Sequence, residues 1–90
     1  VCLIDFSAPW CGPCKAQEPI VRQIADDFDG RARIAQLDVS EHRQLAAKLG
    51  IYSIPTLILY KNGREVKRFV GMQPREVLAG AIEGAVGKGG

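Results

Sequence analysis

The amino-acid sequence predicts a small α/β domain in which three helices flank a four-stranded mixed sheet. Strand-like and helix-like spacings of apolar residues alternate along the first half of the chain. An Asn62-Gly63 pair then joins two strands into a hairpin. The two crossovers and the hairpin together require both parallel and antiparallel pairing. Ninety residues are enough for one hydrophobic core, so residues 1–90 are predicted to form a single domain.

The first half of the chain is predicted to form a strand, a helix and a second strand. Residues 1–6 are almost continuously apolar, as expected of a central strand that is covered on both faces. Residues 34–39 form the second strand. Between them, Pro19 predicts a kink in a helix that stops at Gly30. The helix is identified by its apolar positions, which are Ile20, Val21, Ile24, Ala25 and Phe28.

A short helix is predicted to follow the second strand. Its apolar face consists of Leu45, Ala46 and Leu49. Ser40 is predicted to be the N-cap, because a serine hydroxyl can accept a hydrogen bond from a free backbone N–H. Gly50 lies just beyond the predicted end of the helix, where glycine is favoured.

The last third of the chain is predicted to form a hairpin and a helix. Strands at residues 56–60 and 65–70 flank the Asn62-Gly63 turn, which is typical of type I′. Lys67 and Arg68 suit an edge strand that faces solvent. Pro74 is expected to start the last helix, and residues 87–90 to form a frayed tail. The apolar stripe of this helix consists of Val77, Leu78, Ala81, Ile82, Ala85 and Val86.

The charge and hydropathy of the chain exclude two classes of partner. The net charge is only +2, and basic residues are scattered among acidic ones, so neither nucleic acid nor an anionic membrane is an expected partner. No apolar run approaches the roughly 18 residues of a membrane span. The longest run, residues 51–60, is interrupted by Ser53 and Pro55.

Two cysteines separated by two residues lie where an apolar strand meets a helical pattern. Residues three apart in the first turn of a helix share a face, so Cys11 and Cys14 can form a disulfide that opens and closes. Free N–H groups and the helix dipole favour a thiolate at Cys11. A purely structural disulfide here would close a very short loop, where the entropic stabilisation is smallest. The pair is therefore predicted to be a redox dithiol.

The remaining cysteine and the single histidine offer a weaker alternative. Three cysteines and His42 add up to four zinc ligands, but their spacing does not match the usual paired ligands. We therefore expect no metal site. Cys2 is predicted to be a small buried hydrophobic residue, and His42 a solvated one.

The motifs of this chain closely resemble those of the thioredoxin family. The dithiol is followed about forty residues later by an Ile-Pro-Thr turn, a hairpin and a glycine, and the resemblance extends over residues 1 to about 86. It implies the thioredoxin-like fold. The residues that carry it are Asp5-Phe6, Ala8, Trp10-Cys11-Gly12-Pro13-Cys14-Lys15, Pro19, Gly50-Ile51, Ile54-Pro55-Thr56, Lys61-Asn62-Gly63 and Gly71.

The resemblance implies a role for each residue of the dithiol site. The Cys11 thiolate would attack a substrate disulfide, and Cys14 would then attack Cys11 and release the reduced substrate. Asp5 would be a buried carboxyl that takes the proton from Cys14. An acid within an apolar strand is costly to ionise, so the pKa of Asp5 should be raised. No cofactor is implied beyond the redox-active disulfide of Cys11 and Cys14.

A substrate groove is also implied by the resemblance. Ile54-Pro55 is similar to the cis-proline turn that faces the active site in this family, whereas an ordinary strand-start proline would be trans. In the cis arrangement the backbone of Ile54 could pair with an extended substrate strand. The implied groove is shallow and largely apolar, and its residues are Trp10, Gly12, Pro13, Ile54, Pro55, Val70 and Gly71.

The function implied is reduction of protein disulfides in the cytoplasm, with electrons from a donor of the thioredoxin-reductase type. Gly12 and Pro13 place no cation or imidazole between the cysteines, so the disulfide should be comparatively stable and the dithiol reducing. Two alternatives remain open at this point. One is a non-catalytic binding module with the same fold, and the other is an oxidising or isomerising relative in an exported compartment.

This chain departs from the family pattern in three places. Ser7 stands where tryptophan is common, and Gln36 replaces a lysine usually found near the buried Asp5. The strand and helix that precede this region in the family are absent from the 90 residues. We therefore expect strand 34–39 to be a sheet edge, and we expect weak self-association through its apolar residues, which are Ile34, Leu37 and Val39.

Overall fold

Seven elements follow one another in the predicted order in the computed structural model, which describes residues 1–88. Helix α3 reaches further than predicted, because Gly87 and Lys88 belong to it. Gly89 and Gly90 of the predicted tail lie outside the described residues. The elements are β1 (Cys2–Ser7), α1 (Gly12–Asp27), β2 (Arg33–Asp38), α2 (Arg43–Lys48), β3 (Thr56–Lys61), β4 (Arg64–Val70) and α3 (Arg75–Lys88).

The four strands form one mixed sheet in the order β2-β1-β3-β4. Strand β1 pairs in parallel with β2 and antiparallel with β3, and β3 pairs antiparallel with β4. Asn62 and Gly63 both have positive φ angles, of 55° and 78°, which is the backbone of the predicted type I′ turn. The predicted mixed sheet and its hairpin are confirmed.

Helices cover both faces of the sheet, and alternation along β1 assigns each side chain to a face. Leu3 belongs to the larger core, in which α1 and α3 contribute Ile24 and Leu78. Phe6 belongs to the opposite core, to which α2 contributes Ala46. Since Asp5 lies two residues after Leu3, it shares the face that α1 covers.

The start of α2 differs from the prediction. The helix begins at Arg43 with His42 at the N-cap position, and Ser40 does not cap it. Instead, the backbone N–H and the hydroxyl of Ser40 both donate to Asp38 Oδ1, at 2.8 and 2.6 Å. These bonds lower the pKa of Asp38 and use Ser40 in the turn that ends β2. Leu45 is also outside the predicted core, being 39% exposed.

Two further apolar residues are more exposed than predicted. Val77 is 41% exposed, whereas Leu78 and Ile82 are fully buried, because one residue rotates a side chain by about 100° around a helix. Cys2 is half-buried. It shares a face with Phe6, and the six-residue α2 covers only the Phe6 end of that face.

Neighbouring substitutions in α3 test this placement. Leu78→Ala should lower the free energy of unfolding by about 2–5 kcal/mol, because it opens a cavity in the larger core. Val77→Ala, the matched control, should lower it by less than about 1 kcal/mol. Chemical denaturation measures both. Equal losses of unfolding free energy in the two variants would contradict an α3 orientation that buries Leu78 and exposes Val77.

Strand β2 lies at one edge of the described sheet, as expected, and β4 at the other. Ile34 and Leu37 are half-buried against the two cores rather than fully exposed. Self-association through this edge stays a prediction. Sedimentation of the 90-residue chain over a range of concentrations tests it, and a strictly monomeric chain would contradict it.

Candidate active site

The cysteine pair lies at the start of α1. Cys11 is the N-cap residue with extended backbone, and Pro13 follows within the first turn, where its missing N–H costs nothing. Cys11 and Cys14 form a disulfide with their Cα atoms 5.2 Å apart. The Cys14 N–H donates to Cys11 Sγ at 3.2 Å, which satisfies one of the free N–H groups of the helix. The geometry therefore brings together the two predicted cysteines.

Apolar side chains surround the disulfide. Cys11 and Cys14 are only 6% and 4% exposed and pack with Ala8. Trp10, directly before Cys11, is 73% exposed. Ile54 packs against the same cluster, and its carbonyl oxygen lies 3.9 Å from Cys11 Sγ. The Ile54–Pro55 peptide bond is cis, as the resemblance implied.

Two of the residues expected to line the groove, Gly71 and Pro55, are joined by a hydrogen bond. The Gly71 N–H donates to the Pro55 carbonyl at 2.8 Å, which joins the end of β4 to the turn beside Cys11. Gly71 has a φ of 93°, a conformation that favours glycine. Val70 is exposed, whereas Pro55, also expected in the groove, is buried. Gly12 and Pro13 are exposed on the α1 side.

Tyr52 is an exposed aromatic residue that the sequence analysis missed. It is 89% exposed and, with Trp10, flanks an apolar depression over Ala46 and Ile51. Its position two residues before Ile54, a residue expected in the groove, could have identified it as a candidate site residue.

Asp5 is a buried carboxyl with no hydrogen-bond partner for either oxygen among the described residues. Burial raises its pKa from 3.8 to about 6; the Gln36 side chain opposes this shift, and the negative charge of Glu18 adds to it. Gln36 is the register partner of Asp5 across β1 and β2, yet it makes no hydrogen bond of ordinary length to the carboxyl. The predicted upward shift therefore rests on desolvation.

A crevice of about 390 Å³ opens beside Cys14. Ser7 and Gln36, the two residues that depart from the family pattern, both line it, together with Lys15 and Glu18. Since Gln36 is also the register partner of Asp5, the crevice connects the surroundings of Cys14 and Asp5. Ser7 and Gln36 thus give the crevice beside Cys14 part of its polar lining.

Gln17 is a buried polar residue that the sequence analysis also missed. It lies on α1 three residues after Cys14 and is fully buried. Its amide donates to the Gln73 carbonyl at 3.0 Å and accepts from the Gln73 N–H at 2.7 Å. The spacing of Cys14, Gln17, Val21 and Ile24 is the signal that could have identified its burial.

Within residues 1–88, no three His, Cys, Asp or Glu side chains come close enough to hold a metal ion. None of the helices in that range is long and apolar enough to cross a membrane.

Comparison with known proteins gives a consistent result. The family model described as thioredoxin matches residues 1–84. The thioredoxin of Staphylococcus saprophyticus is 52% identical over 81 residues, which cover 90% of this chain and 78% of that protein. The thioredoxin of Staphylococcus haemolyticus is 49% identical over the same length. A mutant thioredoxin from Halobacterium salinarum superposes with a TM-score of 0.89 and 40% identity, over 94% of this chain and 74% of the other.

Proposed function

The chain belongs to the thioredoxin family of thiol–disulfide oxidoreductases, and from this premise we propose that it reduces disulfides of other proteins. One observation carries the proposal. The Cys11–Cys14 disulfide lies at the start of α1 beside the Ile54 carbonyl and directly after the exposed Trp10. No observation favours the alternative of a non-catalytic binding module.

Two thiol exchanges account for the reduction. The Cys11 thiolate attacks one sulfur of the substrate disulfide, forms a mixed disulfide and displaces the other substrate sulfur as a thiolate. Cys14 loses its proton and attacks Cys11 Sγ, which breaks the mixed disulfide and frees the second substrate thiolate. Two electrons pass to the substrate, and the Cys11–Cys14 disulfide is formed. An external dithiol donor of the thioredoxin-reductase type then restores the reduced pair.

Asp5 is the group we propose as the base for Cys14. It lies on the sheet face that α1 covers, and its pKa of about 6 makes it ionised near neutral pH but still basic enough to accept a proton. The crevice that links Cys14 and Gln36 supports an exchange of that proton with solvent.

The direction of the reaction depends on how strongly the Cys11 thiolate is stabilised. A strongly stabilised thiolate favours the dithiol and makes the protein an oxidant. Here the Cys14 N–H is the hydrogen-bond donor to Cys11 Sγ, and Gly12 and Pro13 add no charge. Modest stabilisation supports a stable disulfide and hence a reductant.

The partners follow from the same site. An extended segment of a disulfide-containing protein would pair with the backbone of Ile54 and lie against the exposed Trp10 and Val70. The dithiol carries the electrons itself, so we propose no bound cofactor and no metal. We place the reaction in the cytoplasm, where such donors keep thiols reduced.

Disulfide reduction in a model protein tests this proposal. The chain, supplied with an external dithiol, should reduce insulin catalytically, and Cys11→Ser should not exceed the uncatalysed rate. Its reduction potential, measured by equilibration with glutathione, should be more negative than that of the glutathione couple. A potential well above that couple would instead identify an oxidising or isomerising protein.

A further inference from the structure

Gln17 joins the dithiol helix to the loop between β4 and α3. We call residues 71–73 of that loop the substrate loop, because Gly71 belongs to the proposed groove. Both hydrogen-bonding ends of the Gln17 amide bind the backbone of one residue of this loop, the N–H and carbonyl of Gln73. Such double pairing leaves no polar atom of the buried amide unsupported and fixes the position of the loop residue.

The substrate loop has few other constraints. It contains no helix or strand, and Met72 at its middle is exposed. At one end the Gly71 N–H binds the Pro55 carbonyl. Beyond the other end, Arg75 pairs with Asp27 at the surface, where such a pair contributes little. Within the described residues, the side-chain hydrogen bonds between this loop and the helix that carries the cysteines are those of Gln17.

A closed set of contacts results. Gln17 lies one turn after Cys14, Gln73 binds Gln17, and Gly71 binds Pro55. Ile54, next to Pro55, completes the set, because its carbonyl oxygen lies 3.9 Å from Cys11 Sγ. The substrate-contacting side of the groove is thus held at a set distance from the reacting sulfurs by a side chain that touches neither sulfur nor substrate.

We propose that Gln17 is a positioning residue that sets the affinity for protein disulfides by holding the substrate loop, a proposal that rests on the function proposed above. Gln17 takes no part in thiol exchange. Its effect therefore depends on whether a substrate is large enough to contact the loop. A small disulfide that reaches only Cys11 should not sense it.

Gln17→Met tests the proposal, because methionine has a similar unbranched shape but neither hydrogen-bonding end. With insulin as the substrate, KM should rise at least about fivefold, the low end of the factor that corresponds to losing two neutral hydrogen bonds. The rate with oxidised glutathione and the reduction potential should stay within about twofold of the unaltered protein. Gln23→Met is the matched control, since Gln23 is an exposed glutamine on the same helix.

Hydrogen exchange gives a second measurement that does not depend on the variant folding. In the unaltered protein the Gln73 amide should exchange as slowly as amides of the sheet, although it lies in a loop. Rapid exchange there would overturn the proposal. So would an unchanged KM for insulin in Gln17→Met, or equal losses with insulin and oxidised glutathione. If the unaltered protein reduced no protein disulfide, the proposed function itself would be wrong. That result is distinct from the comparison of KM between Gln17→Met and the unaltered protein.

Discussion

Replacing Cys14 by serine should trap a long-lived mixed disulfide between Cys11 and a substrate protein, and replacing Cys11 by serine should trap almost none. The reason is the order of the two exchanges. Cys11 occupies the N-cap of α1, beside the exposed Trp10 and the Ile54 carbonyl, where a substrate can approach. Without Cys14, the thiol paired with Cys11 that would attack the mixed disulfide is missing, because Cys2 lies outside the pair. Either substitution should abolish catalytic turnover of insulin.

Non-reducing gel electrophoresis and mass spectrometry measure the trapped species. Cys2→Ser is the matched control, because it removes the thiol outside the pair and should leave turnover unchanged. Alkylation of the reduced protein at neutral pH should label Cys11 fastest, since thiolate character controls the rate. Equal trapping by the Cys11 and Cys14 variants, or faster labelling of Cys2 than of Cys11, would contradict the assigned roles.

Asp5→Asn should slow the resolution of the mixed disulfide by about a hundredfold or more, because asparagine cannot accept the Cys14 proton. Single-turnover kinetics with a pre-formed mixed disulfide measure this step directly. In the unaltered protein the rate should rise with pH through the raised pKa of Asp5, about 6, and the variant should lose that dependence. A rate and pH profile unaffected by the substitution would exclude Asp5 as the base.

The same substitution should stabilise the fold at neutral pH. The folded pKa of Asp5 is raised from 3.8 to about 6, so the folded state holds the proton more tightly than the unfolded state. Below about pH 4 the acid is protonated in both states and the substitution should matter little. Stability of the unaltered protein should then fall between about pH 4 and 6, by about 3 kcal/mol in total, and stay lower above that range.

Denaturation curves of the two proteins at several pH values measure this difference. Asp5→Asn should gain stability relative to the unaltered protein as pH rises through that window. Asp26→Asn provides the control, because Asp26 is an exposed residue of α1. Equal stability of the Asp5 variant and the unaltered protein at pH 8 would mean that the buried carboxyl carries no desolvation cost.

Features that depend on neighbouring residues could be predicted from the sequence. The seven elements, the Asn62-Gly63 turn and the spacing that joins Cys11 to Cys14 are local properties, set by periodicity and by backbone preferences of a few consecutive residues. The raised pKa of Asp5 was also predictable, because an almost continuously apolar strand is expected to be covered on both faces, which buries the acid within it.

Features that depend on residues far apart in the chain could not be predicted from the sequence and are seen only in the folded protein. The approach of Ile54 to Cys11 joins positions 43 apart, and the pairing of Gln17 with Gln73 joins positions 56 apart. No local sequence pattern predicts either contact, because each forms only when distant parts of the chain pack together. The same reason explains the errors at Ser40, Leu45 and Val77. Periodicity shows that a helix has an apolar face, but the packed neighbours and the residue at which the helix begins decide which side chains that face buries.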